Sequence, residues 1–211
     1  MLFMTRRCNL DCAYCHMDHD SHPDNELSRL TWMVDAALAS YQEVMLHLFG
    51  GEPLLRPDLV RGVLEHVREH HNPQRVRKLI TSNGILLSGE HLDMLLEHGV
   101  TLMLSLDGTF DSQGDMRVAA GNNHRAYQVV LENIGHLVRE RIPFFVNMCV
   151  SPENVDRMLD NARFLAELGI PRIQIAYELG AHWTAPLQER FLAGFRQCVA
   201  ELHGPSMHIQ N

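Results

Sequence analysis

Three observations predict an α/β chain built on a parallel sheet. Short apolar runs alternate six times with longer amphipathic runs. The apolar runs, among them VMLHLF, TLMLSL and FFVNMCV, are nearly continuous, as strands covered on both faces should be. The unusual residue types crowd just after these runs, where parallel α/β folds gather their chemistry. Six strand–helix units are two short of a full eight-unit barrel, and a doubly wound open sheet is the rival arrangement. No linker or low-complexity stretch divides the sequence, so residues 1–211 are expected to form one domain.

The elements follow in order. The first strand is read at residues 2–5, and the helix after it, LSRLTWMVDAALASY, is expected to start behind an N-cap at Ser28. The second strand covers 44–49, followed by DLVRGVLEHVREHH with Pro57 as a first-turn residue. The third covers 78–82, and SGEHLDMLLEHG then stops at Gly99, which suits a left-handed helix end. Strands four, five and six are read at 101–106, 144–150 and 172–177. The helical patterns HRAYQVVLENIGHLVRERI, ENVDRMLDNARFLAELG and LQERFLAGFRQCVAEL follow them in turn.

Composition excludes several classes of function. A formal net charge of -8 argues against a broad phosphate-contacting surface, so no nucleic-acid partner is expected. No apolar run reaches the roughly 18–20 residues that span a bilayer, and MLFMTRRCNL lacks the pattern of a secretory signal. Neither a membrane partner nor secretion is therefore expected. The 14 histidines fall mostly in helix-like stretches such as LEHVREHH, where a solvated face is the expected reading.

The five cysteines are an odd number, and three of them, Cys8, Cys12 and Cys15, fall within eight residues. Secreted scaffolds show even, dispersed sets, so a reducing cytoplasmic location with thiolates kept for a metal is expected. Two metals remain open at this point. A structural zinc site needs four ligands, and His16, His19 or His22 would supply the fourth. An iron–sulfur cubane on three thiolates would instead leave one iron open for a ligand. Cys149 and Cys198 are isolated in sequence, one in a strand and one in a helix, and read as packing residues.

The segment CNLDCAYC, in the loop after the first strand, resembles the CxxxCxxC motif of the radical S-adenosyl-L-methionine (SAM) enzymes. The resemblance implies a partial (βα)6 barrel and a 4Fe-4S cluster on Cys8, Cys12 and Cys15, with SAM on the open iron. It further implies an oxidoreductase-type enzyme, supplied with electrons by a flavodoxin or ferredoxin, that cleaves SAM to a 5′-deoxyadenosyl radical and abstracts hydrogen from substrate. Tyr14 is implied beside the adenine.

The later strand ends carry the rest of the resemblance. FGGEP offers two glycines that let backbone approach closely and a carboxylate for an ammonium group. In the family the same GGEP binds the SAM amino group, which implies Gly50, Gly51, Glu52 and Pro53. TSNG reads as a turn, and the resemblance sets Ser82 and Asn83 near SAM. SLDG with a following arginine resembles peptide-modifying members such as the anaerobic sulfatase-maturating enzymes. That likeness implies Ser105 and Arg117 on the SAM carboxylate, with Asp107 beside them. Those relatives have His-Asp shortly before the arginine, where this chain has Gln113 and Gly114. Asn147, in an otherwise apolar strand, needs a polar partner, either SAM or backbone. Ile175 and Ala176 are implied near the adenine, and Tyr177 and Glu178 at the mouth of their strand are candidates for substrate contact.

The nearest subgroup is the peptide and protein maturases, many of which continue into a cysteine-rich C-terminal domain with auxiliary clusters. Two isolated cysteines cannot build such a cluster, so a minimal core or a fragment is expected. A peptide or protein is the expected substrate. The rival function is a non-catalytic iron–sulfur or zinc module.

Overall fold

The computed structural model of the chain describes residues 1–18, 23–114, 116–119 and 121–211. His19 and His22, named above as zinc-ligand candidates, lie outside the described residues. The strands are β1 Leu2–Phe3, β2 Leu10–Cys12, β3 Val44–Phe49, β4 Val76–Ser82, β5 Val100–Ser105, β6 Arg117–Ala119, β7 Phe144–Val150, β8 Arg172–Tyr177 and β9 His208–Gln210. The helices are α1 Leu27–Ser40, α2 Pro57–His70, α3 Gly89–Glu97, α4 Phe110–Gln113, α5 Asn123–Arg139, α6 Met158–Glu167 and α7 Ala185–Leu202. Every strand and long helix read from the alternation is present and in order, which gives the expected α/β class. β2, β6, β9 and α4, each of four residues or fewer, were not foreseen because they are too short to carry a period. No helix among the described residues is long and apolar enough to cross a membrane.

The chain divides into two compact units, one of Met1–Asn9 with His16–Met103 and one of Leu10–Cys15 with Leu104–Asn211. In the first unit β1, β3, β4 and the start of β5 lie side by side. β1 pairs with β3 in parallel (Leu2 opposite Leu48), and β3 with β4 (Val44 opposite Val76). Burial along β3 alternates: Leu46 and Leu48 are buried, whereas Met45, His47 and Phe49 on the opposite face are half-buried or exposed. Cover on both faces was expected from the unbroken apolar run; instead that face keeps part of its surface open and carries a polar pair, His47 Nε2 and Thr81 Oγ1 2.6 Å apart. Leu30, Val34 and Leu38 of α1 and Leu59, Val63 and Val67 of α2 supply the buried stripes of the two helices.

Helix ends match the sequence in two places of three. Pro57 opens α2 and Gly99, at φ 60°, follows the end of α3. Ser28 does not cap α1; the helix starts one residue before it, behind Glu26. The cause is anchorage upstream: Asn25 donates its backbone N–H to Met4 O and its side-chain N–H to Phe3 O, and accepts from the Glu26 N–H. Chain entry is thus set by β1 and not by a hydroxyl cap. The far end of α1 is closed by Arg75, whose guanidinium donates to Leu38 O (2.9 Å), Tyr41 O (2.6 Å) and Gln42 O (2.7 Å). Leu38 O belongs to the last turn of α1, whose carbonyls have no intrahelical partner, and Tyr41 O and Gln42 O follow directly after the helix.

In the second unit β2 and β6 form an antiparallel ladder, Leu10 opposite Ala119 and Cys12 opposite Arg117. β7, β8 and β9 run parallel, and the Leu106 N–H, just past β5, donates to Asn147 O at 3.2 Å. Val130, Ile134 and Leu137 of α5, Leu165 of α6 and Ile173 of β8 fill the core. Cys198 of α7 is fully buried there, as read from sequence, and burial pushes its thiol up to about 11.

Arg75→Met should cost about 1–3 kcal/mol, the value of charge-assisted hydrogen bonds to carbonyls that lose their donors. Denaturant unfolding reads it as a lower midpoint. An unchanged midpoint would show that water caps α1 equally well.

Candidate functional site

The first unit builds its half of the site from backbone outward. Gly50 has φ 144°, and a Cβ there would stand 2.2 Å from Thr5 O; at Gly51 a Cβ would stand 2.3 Å from Arg7 O. The approach is used: Gly51 N–H donates to Thr5 O at 3.0 Å and Glu52 N–H to Arg7 O at 2.9 Å. The glycines thus clamp residues 50–52 onto the backbone that leads directly into Cys8. The same limb is held from its other side by Asp24. This carboxylate accepts from the Thr5 hydroxyl, from Arg7 Nη2 at 2.5 Å and from Arg56 Nη1 at 2.9 Å. Burial would raise the Asp24 carboxyl, but those donors outweigh it and hold it at about 2.

Glu52 is completely buried. Its Oε1 accepts from Leu54 N–H and from Ser82 Oγ, both at 3.0 Å, and its Oε2 from Asn83 N–H at 2.8 Å. Burial still pushes the carboxyl up to about 7 against these donors. Asn83 carries the chain of contacts on, because its Nδ2 lies 2.7 Å from Asn9 Oδ1 and 3.8 Å from Cys8 Sγ. Pro53 is buried in the one-turn 3-10 helix that Glu52 caps. One carboxylate therefore fixes both GGEP and TSNG, and TSNG reaches the first cysteine.

The second unit builds on Asp107, likewise with no exposed surface. Arg117 holds it with two prongs, Nε to Oδ2 at 2.8 Å and Nη2 to Oδ1 at 2.9 Å. Tyr14 donates its hydroxyl to Oδ2 at 2.5 Å, and Cys149 its backbone N–H to Oδ1 at 2.9 Å. The Arg117 guanidinium also lies over the Tyr14 ring, 5.2 Å from its centroid. Burial works against the charge on Arg117, but Asp107 outweighs it and holds the guanidinium firmly protonated. Burial, reinforced by Asp107, raises the Tyr14 phenol and pushes the Cys149 thiol up to about 12. Gln113 replaces the family's usual residue yet has a task, since its Oε1 accepts the Asp107 N–H at 3.0 Å. The loop holding Cys12 and Cys15 is stapled by the β2–β6 ladder, by Ala13 N–H to Met116 O at 2.9 Å and by Cys15 N–H to Cys12 O at 2.9 Å.

Each residue named from sequence therefore has a definite place. In the first unit Cys8, Asn83, Ser82 and Glu52 belong to one connected network. In the second, Tyr14, Asp107 and Arg117 form another, with Cys12 across the ladder from Arg117. Ser105 is half-buried at the end of β5. Asn147 is half-buried, and no side-chain hydrogen bond to it is made among the described residues, so the backbone partner weighed above is not seen. Ile175 and Ala176 alternate on β8, Ile175 inside the core and Ala176 half-buried on the other face. Tyr177 is exposed at the strand end and packs edge-on against Trp183 and Phe191. His16 is exposed. None of the five cysteines is in a disulfide.

Sequence reasoning did not foresee that the fork of Arg117 is engaged by the chain's own Asp107. It also missed the Thr5–Arg7–Asp24–Arg56 cluster. Asp107 sits two residues after Ser105 and ten before Arg117, and that acid–base spacing was the available signal. Nothing local marks Asp24 as the partner of Arg56, which is 32 residues away.

The model of the radical SAM superfamily matches residues 2–174. The PqqA peptide cyclase of Ruegeria pomeroyi is 35% identical over 179 residues, covering 82% of this chain and 45% of the relative. The Fe-coproporphyrin III synthase of Methanosarcina barkeri is 31% identical over 174 residues, covering 81% of this chain and 41% of the relative. Among solved structures, native anSMEcpe with bound AdoMet and Cp18Cys peptide superposes with a TM-score of 0.76 at 19% identity, over 92% of this chain and 57% of that one. The chain spans about half the length of these proteins. The family uses a 4Fe-4S cluster and SAM, and a loop with three undisulfided cysteines and a buried carboxylate at GGEP suits both. With its match running from β1 to β8, the chain belongs to the radical SAM superfamily.

Proposed function

We propose that the chain is the catalytic core of a radical SAM enzyme that attacks a C–H bond of a peptide or protein side chain. The observation that carries the reading is the cysteine loop itself: CxxxCxxC follows the first strand of a chain matched by the family over residues 2–174. Cys8, Cys12 and Cys15 would hold the cluster, and Asn83 Nδ2, 3.8 Å from Cys8 Sγ, would hold that sulfur in place. Glu52 and the GGEP backbone would receive the ammonium end of SAM. Ser105 and the N–H groups of Arg117 that Asp107 does not use would receive its carboxylate. Tyr14, Asn147 and Ala176 would line the adenosine end, whereas Ile175, fully buried on the opposite face of β8, would only back that strand from the core. When bound, cluster and SAM would supply hydrogen-abstracting radical chemistry, with one electron per cleavage drawn from an external donor.

The chain's own residues have supporting tasks. Asp107 keeps Arg117 charged and fixed, and Gln113 keeps Asp107 in place. Glu52, buried with no cation beside it among the described residues, would gain one when an ammonium group arrives. A peptide substrate is supported by the peptide cyclase relative; the porphyrin-named relative favours a tetrapyrrole as the second reading. A flavodoxin- or ferredoxin-type donor in the reducing cytoplasm would supply the electron.

The test is anaerobic reconstitution with iron and sulfide, then dithionite and SAM. 5′-Deoxyadenosine should form, and Cys8→Ala, Cys12→Ala and Cys15→Ala should each reduce it to the protein-free level. A colourless zinc protein without product would sink the reading. Mass spectrometry of added precursor peptides against added porphyrin then separates the two substrate classes.

A second prediction concerns Glu52. Below about 7 its carboxyl is neutral and loses its attraction for an ammonium group. SAM affinity, measured by calorimetry against Glu52→Gln at each pH, should show a wild-type advantage of about tenfold above that value. The advantage should disappear as the pH falls through it. An advantage independent of pH would remove Glu52 from the ammonium site.

A further inference from the structure

Away from the strand ends, the first unit brings together a second set of ligand-type side chains. Asp35 projects from the middle of α1, His66 from the last part of α2, and His71 directly follows α2. Both imidazoles aim at the same carboxylate oxygen: His66 Nε2 lies 2.7 Å and His71 Nε2 2.6 Å from Asp35 Oδ1. The three donor atoms all lie within 4.8 Å of one another. The imidazoles are 19% exposed and the carboxylate 48%, so two ligands are held by packing while the third is able to swing. The His70 ring packs against that of His66 with centroids 4.7 Å apart and further limits its rotation.

This donor set has a definite chemical preference. Two imidazole nitrogens and one carboxylate, without sulfur, suit late first-row divalent ions; magnesium and calcium call for oxygen donors throughout. Tetrahedral zinc, with bonds of about 2.0–2.2 Å, needs its donors about 3.3 Å apart. Asp35 has to withdraw by about 0.7 Å from each imidazole, and the two imidazole nitrogens, which lie within 4.8 Å of each other, have to settle at the same spacing. Each imidazole would offer its Nε2 lone pair with the ring proton on Nδ1, and water would complete the coordination.

We propose that Asp35, His66 and His71 form a binding site for a divalent late transition-metal ion, zinc foremost, which ties the end of α2 to α1. The site shares no residue with the cysteine loop, so it stands or falls separately from the radical chemistry. It would also make bound zinc, taken alone, a poor sign that the cysteines hold that metal.

The test compares the full chain with His71→Ala, Asp35→Asn and, as control, His182→Ala, an exposed histidine of the second unit. After chelation and equilibrium dialysis against zinc, wild type and control should retain about one more ion per chain than the two ligand variants. Zinc should raise the wild-type unfolding temperature by about 5 °C more than it raises that of the ligand variants. With cobalt as the probe, the difference spectrum between wild type and His71→Ala should show d–d bands without thiolate charge transfer. Equal zinc content in all four proteins, or a difference spectrum dominated by sulfur, would overturn the proposal and leave a hydrogen-bonded clamp.

Discussion

A carboxylate withdrawn entirely from water sets the terms for the first unit. Glu52 has no cation beside it among the described residues, and a bare buried charge of this kind is among the costliest groups a fold can hold. Three protein donors make it tolerable, and each belongs to a segment that must then stay put: the turn after GGEP, the Ser82 hydroxyl and the Asn83 backbone. Asn83 in turn engages Asn9 and Cys8. The position of the first cysteine follows from the need to solvate one acid.

Asp107 in the second unit solves the same problem in the opposite way. It too is fully buried, but Arg117 neutralises it and Tyr14 and Cys149 add donors. Removing one member of such a pair strands the other charge, at a cost of about 3–5 kcal/mol. The paired acid is therefore a rigid structural centre, and Glu52 is one still able to respond to an arriving cation. Both follow a strand closely, Glu52 after β3 and Asp107 after β5.

The sequence disclosed the architecture because burial imposes a period: six apolar runs became six strands, and the helices between them kept their order. It misjudged cover on β3, since an apolar run records only hydrophobicity and not which face meets a neighbour. The Ser28 cap failed for a related reason, as the helix start was decided by Asn25 bonding to β1, a contact between segments far apart in sequence. In the site, the residue types were legible one by one and their partnerships were not. Gln113 looked like a departure from the family pattern until its bond to the Asp107 backbone gave it a role. Hydrogen bonds between strand ends leave no local trace in a chain, and so Asp24 went unnoticed.

The two cysteines outside the loop carry one more implication. Burial keeps Cys149 and Cys198 as thiols, with values pushed up to about 12 and about 11. Metals and oxidants both react with the anionic form of sulfur, and these two positions present almost none of it at neutral pH. Both positions are thereby poor metal ligands and poor targets for oxidation.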